Sequence, residues 1–111
     1  MSEVEKVEIT TGNPVIAFAG ELDMASAGAM DSALEPWTRA VGPVIVDLSK
    51  VTFMDSTGIG ALLKAASALG DRGCIIVHGS HGSVKKVLDL TGIGAATNIH
   101  IIGCTVLVAA A

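Results

Sequence analysis

The sequence predicts one α/β domain over residues 1–111: a mostly parallel, mixed sheet of four to five strands packed with three to four helices. Three observations predict it. Residues 44–48 and 74–77 are short, nearly continuous apolar runs, as central parallel strands should be. Each is followed by apolar residues at helical spacing, and such alternation implies right-handed crossovers between parallel strands. A chain of 111 residues, 50% of them hydrophobic, matches one ordinary domain with a real core.

The elements follow in order. Residues 4–10 alternate Val4, Val7 and Ile9 imperfectly with Glu and Lys, as an edge strand does. Thr11-Gly12-Asn13-Pro14 is a turn, and residues 15–19 form a second, more buried strand, completing a hairpin. Gly20-Glu21-Leu22-Asp23 leaves that strand. Residues 24–40 are helical, with Met30, Ala33, Leu34 and Trp37 on one face. Pro36 removes a backbone donor inside this stretch, so a kink or break is expected near Glu35. Gly42-Pro43 ends the segment before the strand at 44–48. Asp55-Ser56-Thr57-Gly58 is a tight turn into a helix at 57–70, which is expected to bury Ile59, Leu62, Leu63, Ala66 and Leu69 and to close at Gly70. After the strand at 74–77, a helix at 82–90 turns Val84, Val87 and Leu88 inward, with Gly92 just beyond. Residues 99–102 read as a last short strand, and 105–111 as a truncated final helix or an apolar tail.

Charge and composition exclude several functions. The net charge of -4 and the scattered basic residues give no footprint for nucleic acid. The aromatic residues are Phe18, Trp37 and Phe53, too few for a base-stacking platform. No apolar run approaches the length that spans a bilayer, and the acidic N-terminal decapeptide is neither a signal nor a transit peptide, so a cytoplasmic location is expected. Cys74 and Cys104 form no CxxC motif, and their expected positions at opposite strand ends, roughly 15 Å apart at ~3.3 Å per residue, disfavour a disulfide. Cys74, His78 and His81 do not have zinc spacing, and neither metal nor cofactor is expected.

Ser56 is the candidate switch. A serine at a strand-to-helix turn has its hydroxyl at a helix N-terminus, where unpaired N–H groups and the helix dipole favour a neutral cap or an added phosphate. As a cap, its loss would cost on the order of 1 kcal/mol. An activated nucleophile would need a base and an orienting group. His78 and His81 lie on a neighbouring connection, but no carboxylate is evident to orient them and there is no G-x-S-x-G elbow. The expectation is therefore a binding protein rather than an enzyme. Gly58 and Gly60 fit either close backbone packing or access for a partner. Gly79-Ser80-His81-Gly82-Ser83 lacks Walker spacing and reads as a strand-to-helix connection beside the Ser56 edge.

Taken together, Gly20-Glu21-Leu22-Asp23, Val46-Asp47-Leu48-Ser49, Val51 through Gly58, and Leu90-Thr91-Gly92-Ile93 resemble STAS domains, and more closely the bacterial anti-sigma factor antagonists. The resemblance covers nearly the whole chain in order and spacing. It implies a small STAS-like α/β domain that binds an anti-sigma factor, often a serine protein kinase, and so frees a sigma factor. It further implies phosphorylation of Ser56 by that kinase, release of the antagonist, and restoration by a phosphatase. It places Asp23 at the end of strand two facing the turn, and Asp55, Thr57, Gly58 and Ile59 on the rim of the partner surface. The second reading is a STAS subunit regulating a membrane transporter or a lipid-transport complex. The serine at position 56 and the freestanding chain favour the first.

Overall fold

The computed structural model describes residues 3–10, 13–39, 41–95 and 98–102. The expected hairpin is present: β1 (Glu3–Thr10) pairs antiparallel with β2 (Asn13–Leu22), with Thr10 opposite Asn13. The remaining strands, β3 (Gly42–Met54), β4 (Gly73–His78) and β5 (Ile99–Ile101), add in parallel, so the sheet order is β1-β2-β3-β4-β5. Three helices make the crossovers: α1 (Ala27–Leu34), α2 (Ser56–Leu69) and α3 (Gly82–Thr91). Each crossover steps to the next strand in the same direction. Right-handed connections of that kind set the helices against one face of the sheet. A single core results, taking Ile16, Phe18 and Leu22 from β2, Val44, Val46 and Leu48 from β3, Val77 from β4 and Ile99 from β5. Met30, Leu62, Leu69, Val84 and Leu88 of the helices close it.

Pro36 acts as expected. α1 stops at Leu34 and the chain continues as a 3-10 helix, Glu35–Arg39, because proline offers no N–H for the next α-helical bond. Helix α2 ends at Gly70 (φ +55°, ψ -135°) and α3 at Gly92 (φ +69°, ψ +20°); both positive φ values favour glycine, and Gly92 makes the left-handed helical exit.

Three expectations are corrected. Helix α1 begins at Ala27, since residues 23–26 are occupied by a hydrogen-bonded turn. Leu63 is 43% exposed; the buried stripe of α2 runs through Gly58, Ile59, Ala61, Leu62, Ala65, Ala66 and Leu69 instead. Strand β3 does not stop near Leu48 but runs on to Met54. Its pairing with β2 shifts register between Ala17 and Ala19 and again between Gly20 and Glu21. Each shift is a bulge that inserts one residue into β3. The inward residues after Leu48 are therefore Val51 and Met54, three apart rather than two. Cys104 and residues 105–111 lie outside the described residues.

Candidate functional site

The extension of β3 delivers the Ser56 turn to the carboxyl edge of the parallel sheet, where the sites of such folds gather. Met54 pairs with Leu22, and both are buried. The next amide, Asp55 N–H, donates to Leu22 O (3.1 Å), which fastens the turn to the end of β2. Helix α2 then starts at Ser56.

The cap of α2 is Asp55, not Ser56. Asp55 Oδ1 accepts from Thr57 N–H (2.9 Å) and from the Thr57 hydroxyl, while Asp55 O accepts from Gly58 N–H and Ile59 N–H at 3.1 and 3.2 Å. The Thr57 hydroxyl bond, with backbone N–H groups behind it, holds the Asp55 carboxyl below its ordinary 3.8; desolvation opposes them. Ser56 occupies the first helical position with an exposed side chain, and its hydroxyl makes no hydrogen bond among the described residues. The two neighbours of Ser56 are thus bound into the fold, and its own hydroxyl is left over.

Gly58 and Ile59 were expected on the rim. Both are buried, with Ile59 6% exposed and part of the core. A Cβ on Gly58 would stand 2.9 Å from Met54 Cγ and 3.3 Å from both Leu22 Cβ and Leu22 O. Glycine here lets the first turn of α2 settle onto the paired ends of β2 and β3, which is the packing alternative for this position. Gly60 is exposed and nothing lies within 4 Å of the space a Cβ would fill.

Asp23 comes to the same edge, because it follows Leu22 as Asp55 follows Met54 across the β2–β3 pair. Its carboxylate closes its own turn. Oδ1 accepts from Ala25 N–H (3.1 Å) and Ser26 N–H (3.2 Å). The reciprocal bond runs from Asp23 N–H to Ser26 Oγ (2.9 Å), and the same hydroxyl donates to Glu21 O (2.9 Å). Ser26, 6% exposed, is a residue that periodicity alone passes over. The signal available was its spacing: Asp and Ser three residues apart can bond each other's backbone reciprocally and close a turn ahead of a helix, without capping the helix itself.

The connection from β4 to α3 forms the third wall. β4 pairs with β3 only as far as Asp47 opposite His78, so residues 49–54 lack a strand on that side. His81 Nε2 meets Ser49 O at 2.9 Å, and Ser83 Oγ donates to Thr52 O at 3.4 Å. His78 Nδ1 stands 3.7 Å from Asp47 Oδ1. Neither histidine is hydrogen-bonded to Ser56. Among the described residues, no three His, Cys, Asp or Glu side chains are grouped to hold a metal ion. A cavity of about 480 Å³ lies at the opposite end of the sheet, lined by Ala66, Gly70, Cys74, Asn98 and His100 among others. The Ser56 turn is a surface feature outside it.

The STAS domain family model matches residues 6–101. The chain belongs to the STAS domain family. Two curated relatives of this STAS domain, the anti-sigma-B factor antagonists of Listeria monocytogenes serovar 1/2a and Listeria innocua serovar 6a, are each 32% identical over 92 residues, covering 81% of either chain. Among solved structures, an anti-sigma factor antagonist from Mycobacterium paratuberculosis superposes with a TM-score of 0.75 at 24% identity, over 90% of this chain and 86% of that one. The anti-sigma factor antagonist SpoIIAA in its unphosphorylated form gives 0.65 at 23% identity, over 90% and 88% of the two chains. These structural likenesses establish the fold. Among the described residues no helix is long and apolar enough to cross a membrane.

Proposed function

We propose that Ser56 is the phosphorylation switch of this protein and that the edge formed by Asp23, Asp55, Ser56 and Thr57 is where its partner docks, with Gly58 and Ile59 as the buried support beneath. The protein is an anti-sigma factor antagonist, as are its named relatives. The observation that carries the switch is the spare hydroxyl: Ser56 is exposed at the first position of α2 and takes no part in holding the turn. A phosphorylated form of SpoIIAA, which shares the fold, supports the same reading.

The partner in this reading is an anti-sigma factor of the serine kinase type. Its kinase moves the γ-phosphoryl group of ATP to Ser56 Oγ: an O–P bond forms, the bond to ADP breaks, and the hydroxyl proton leaves to a base on the kinase. The group brings about -1.5 to -2 charges at neutral pH. The domain tolerates it because the group sits at the positive end of the α2 dipole, although the amides of Thr57, Gly58 and Ile59 are already bonded to Asp55. The partner does not. Burying an uncompensated charge in an interface costs several kcal/mol, and each ~1.4 kcal/mol is tenfold in affinity. Asp23 and Asp55 already make this edge negative. A phosphatase acting on Ser56 restores binding.

The test has two arms. Purified protein incubated with its anti-sigma factor and ATP should carry phosphate on Ser56; label on Ser49, Ser80 or Ser83 with Ser56 unmodified would refute the assignment. Ser56→Asp should lose the partner that Ser56→Ala retains. Its amide shifts should change only near residues 20–24 and 54–60, as local repulsion without refolding requires.

A further inference from the structure

Among the described residues, most large apolar side chains are inside. Two that are not flank the Ser56 turn. Met24 is 78% exposed and Phe53 44%. Met24 follows Asp23 in the turn that leaves β2, and Phe53 lies opposite Glu21 on β3, one residue before Met54 pairs with Leu22. The Asp55–Leu22 backbone bond ties these two segments together directly under Ser56.

Met24, at that exposure, adds little to folding, and a polar residue would serve there; Phe53 keeps part of its ring covered and still leaves 44% of its surface to solvent. Methionine and aromatic residues are enriched where surfaces become buried on association, and a few such anchors carry most of the binding energy there. The surroundings are also specific. Glu21, Asp23 and Asp55 border the pair. None of the ion pairs Arg39–Glu35, Lys64–Asp31, His78–Asp47 and Lys85–Asp89 engages these three carboxylates. The edge therefore presents two apolar side chains inside an acidic border.

We infer that Met24 and Phe53 are the apolar anchors by which the anti-sigma factor grips this edge, and that the matching surface on that protein is an apolar recess bordered by Arg or Lys. The inference rests on the Ser56 edge being the partner surface. It also gives a reason for the phosphate's effect: the group adds charge at an edge where the partner offers apolar surface, while its cations are engaged with the acidic border.

The probe is the anti-sigma factor recovered with the Ser56→Ala variant, identified and purified. Titration calorimetry compares wild type with Met24→Ala, Phe53→Ala and, as a control on α3, Leu90→Ala, whose side chain is 77% exposed. The first two should each weaken binding about tenfold or more, and Leu90→Ala by less than about twofold. Wild-type affinity should fall as salt is raised. Denaturation midpoints verify folding, and if Phe53→Ala unfolds, Met24→Ala carries the test, since so exposed a side chain has little structural role. Wild-type affinity in both alanine variants, with binding still lost in Ser56→Asp, overturns the anchors and leaves the switch standing. Wild-type affinity in Ser56→Asp overturns the switch itself. If the alanine variants change self-association but not partner binding, the pair is a contact between copies of this chain and the inference is wrong.

Discussion

Two glycines in one helix should respond to alanine in opposite directions. At Gly58 an added methyl would stand 2.9 Å from Met54 Cγ and 3.3 Å from Leu22 Cβ and Leu22 O. Ordinary contact begins near 3.4 Å. Met54 must leave its rotamer, at about 0.5–1.5 kcal/mol, or α2 must lift from the strand ends. Overpacking of this kind in a filled core costs about 1–3 kcal/mol in all. Restricting the unfolded chain returns about 0.4–1 kcal/mol. The net expectation for Gly58→Ala is a loss of about 1–2 kcal/mol. Gly60 meets nothing within 4 Å, so Gly60→Ala keeps only the favourable part, a gain of about 0.4–1 kcal/mol. Urea denaturation followed by circular dichroism reads the difference. With a slope of about 2 kcal/mol per molar, Gly58→Ala should lower the midpoint by about 0.5–1 M while Gly60→Ala raises it. A Gly58→Ala variant as stable as Gly60→Ala would refute the close approach of α2 to Leu22, and with it the account of how the Ser56 turn is held.

Ser56→Ala should leave stability within about 0.5 kcal/mol of wild type in the same assay, because the cap belongs to Asp55; a loss near the ~1 kcal/mol of a cap would restore that role to Ser56. Ser26→Ala should cost about 1–3 kcal/mol, since it strips a partner from Asp23 N–H and Glu21 O in a buried turn; thermal denaturation with a neutral result would show that water replaces the hydroxyl. The Asp55 carboxyl titrates below 3.8 in the folded protein, so its ionised form stabilises the fold: that contribution is present above pH 3.8 and disappears as pH falls through the lower folded value. Asp55→Asn keeps a capping side chain without the charge, and its stability should converge on wild type only in that acid range; a constant difference down to the lowest pH would remove the charge from the argument.

The order of elements could be read from the chain because the signals that set it are local. Apolar runs at 44–48 and 74–77, helical spacing after each, Pro36 as a break and Gly70 and Gly92 as stops act through nearest neighbours, and the structure places all of them as expected. The Ser56 turn was visible for the same reason. The errors share another origin. Strand β3 hid its second half because two bulges against β2 break its alternation, and a bulge is a property of a pair of strands rather than of one. Asp55 and Ser56 both suit a cap by composition. The choice fell to Asp55 when its amide bonded Leu22 O and fixed where the helix starts. Leu63 satisfies the helical stripe on paper, yet the core side of α2 is filled by Ala61 and Ala65, and Leu63 faces out. Gly58 and Ile59 went beneath the turn because α2 folds down onto the ends of β2 and β3. Local sequence determined which segments become strand, helix and turn. Only long-range contact decided register, cap and facing, because each of those depends on atoms supplied by a segment thirty or so residues away.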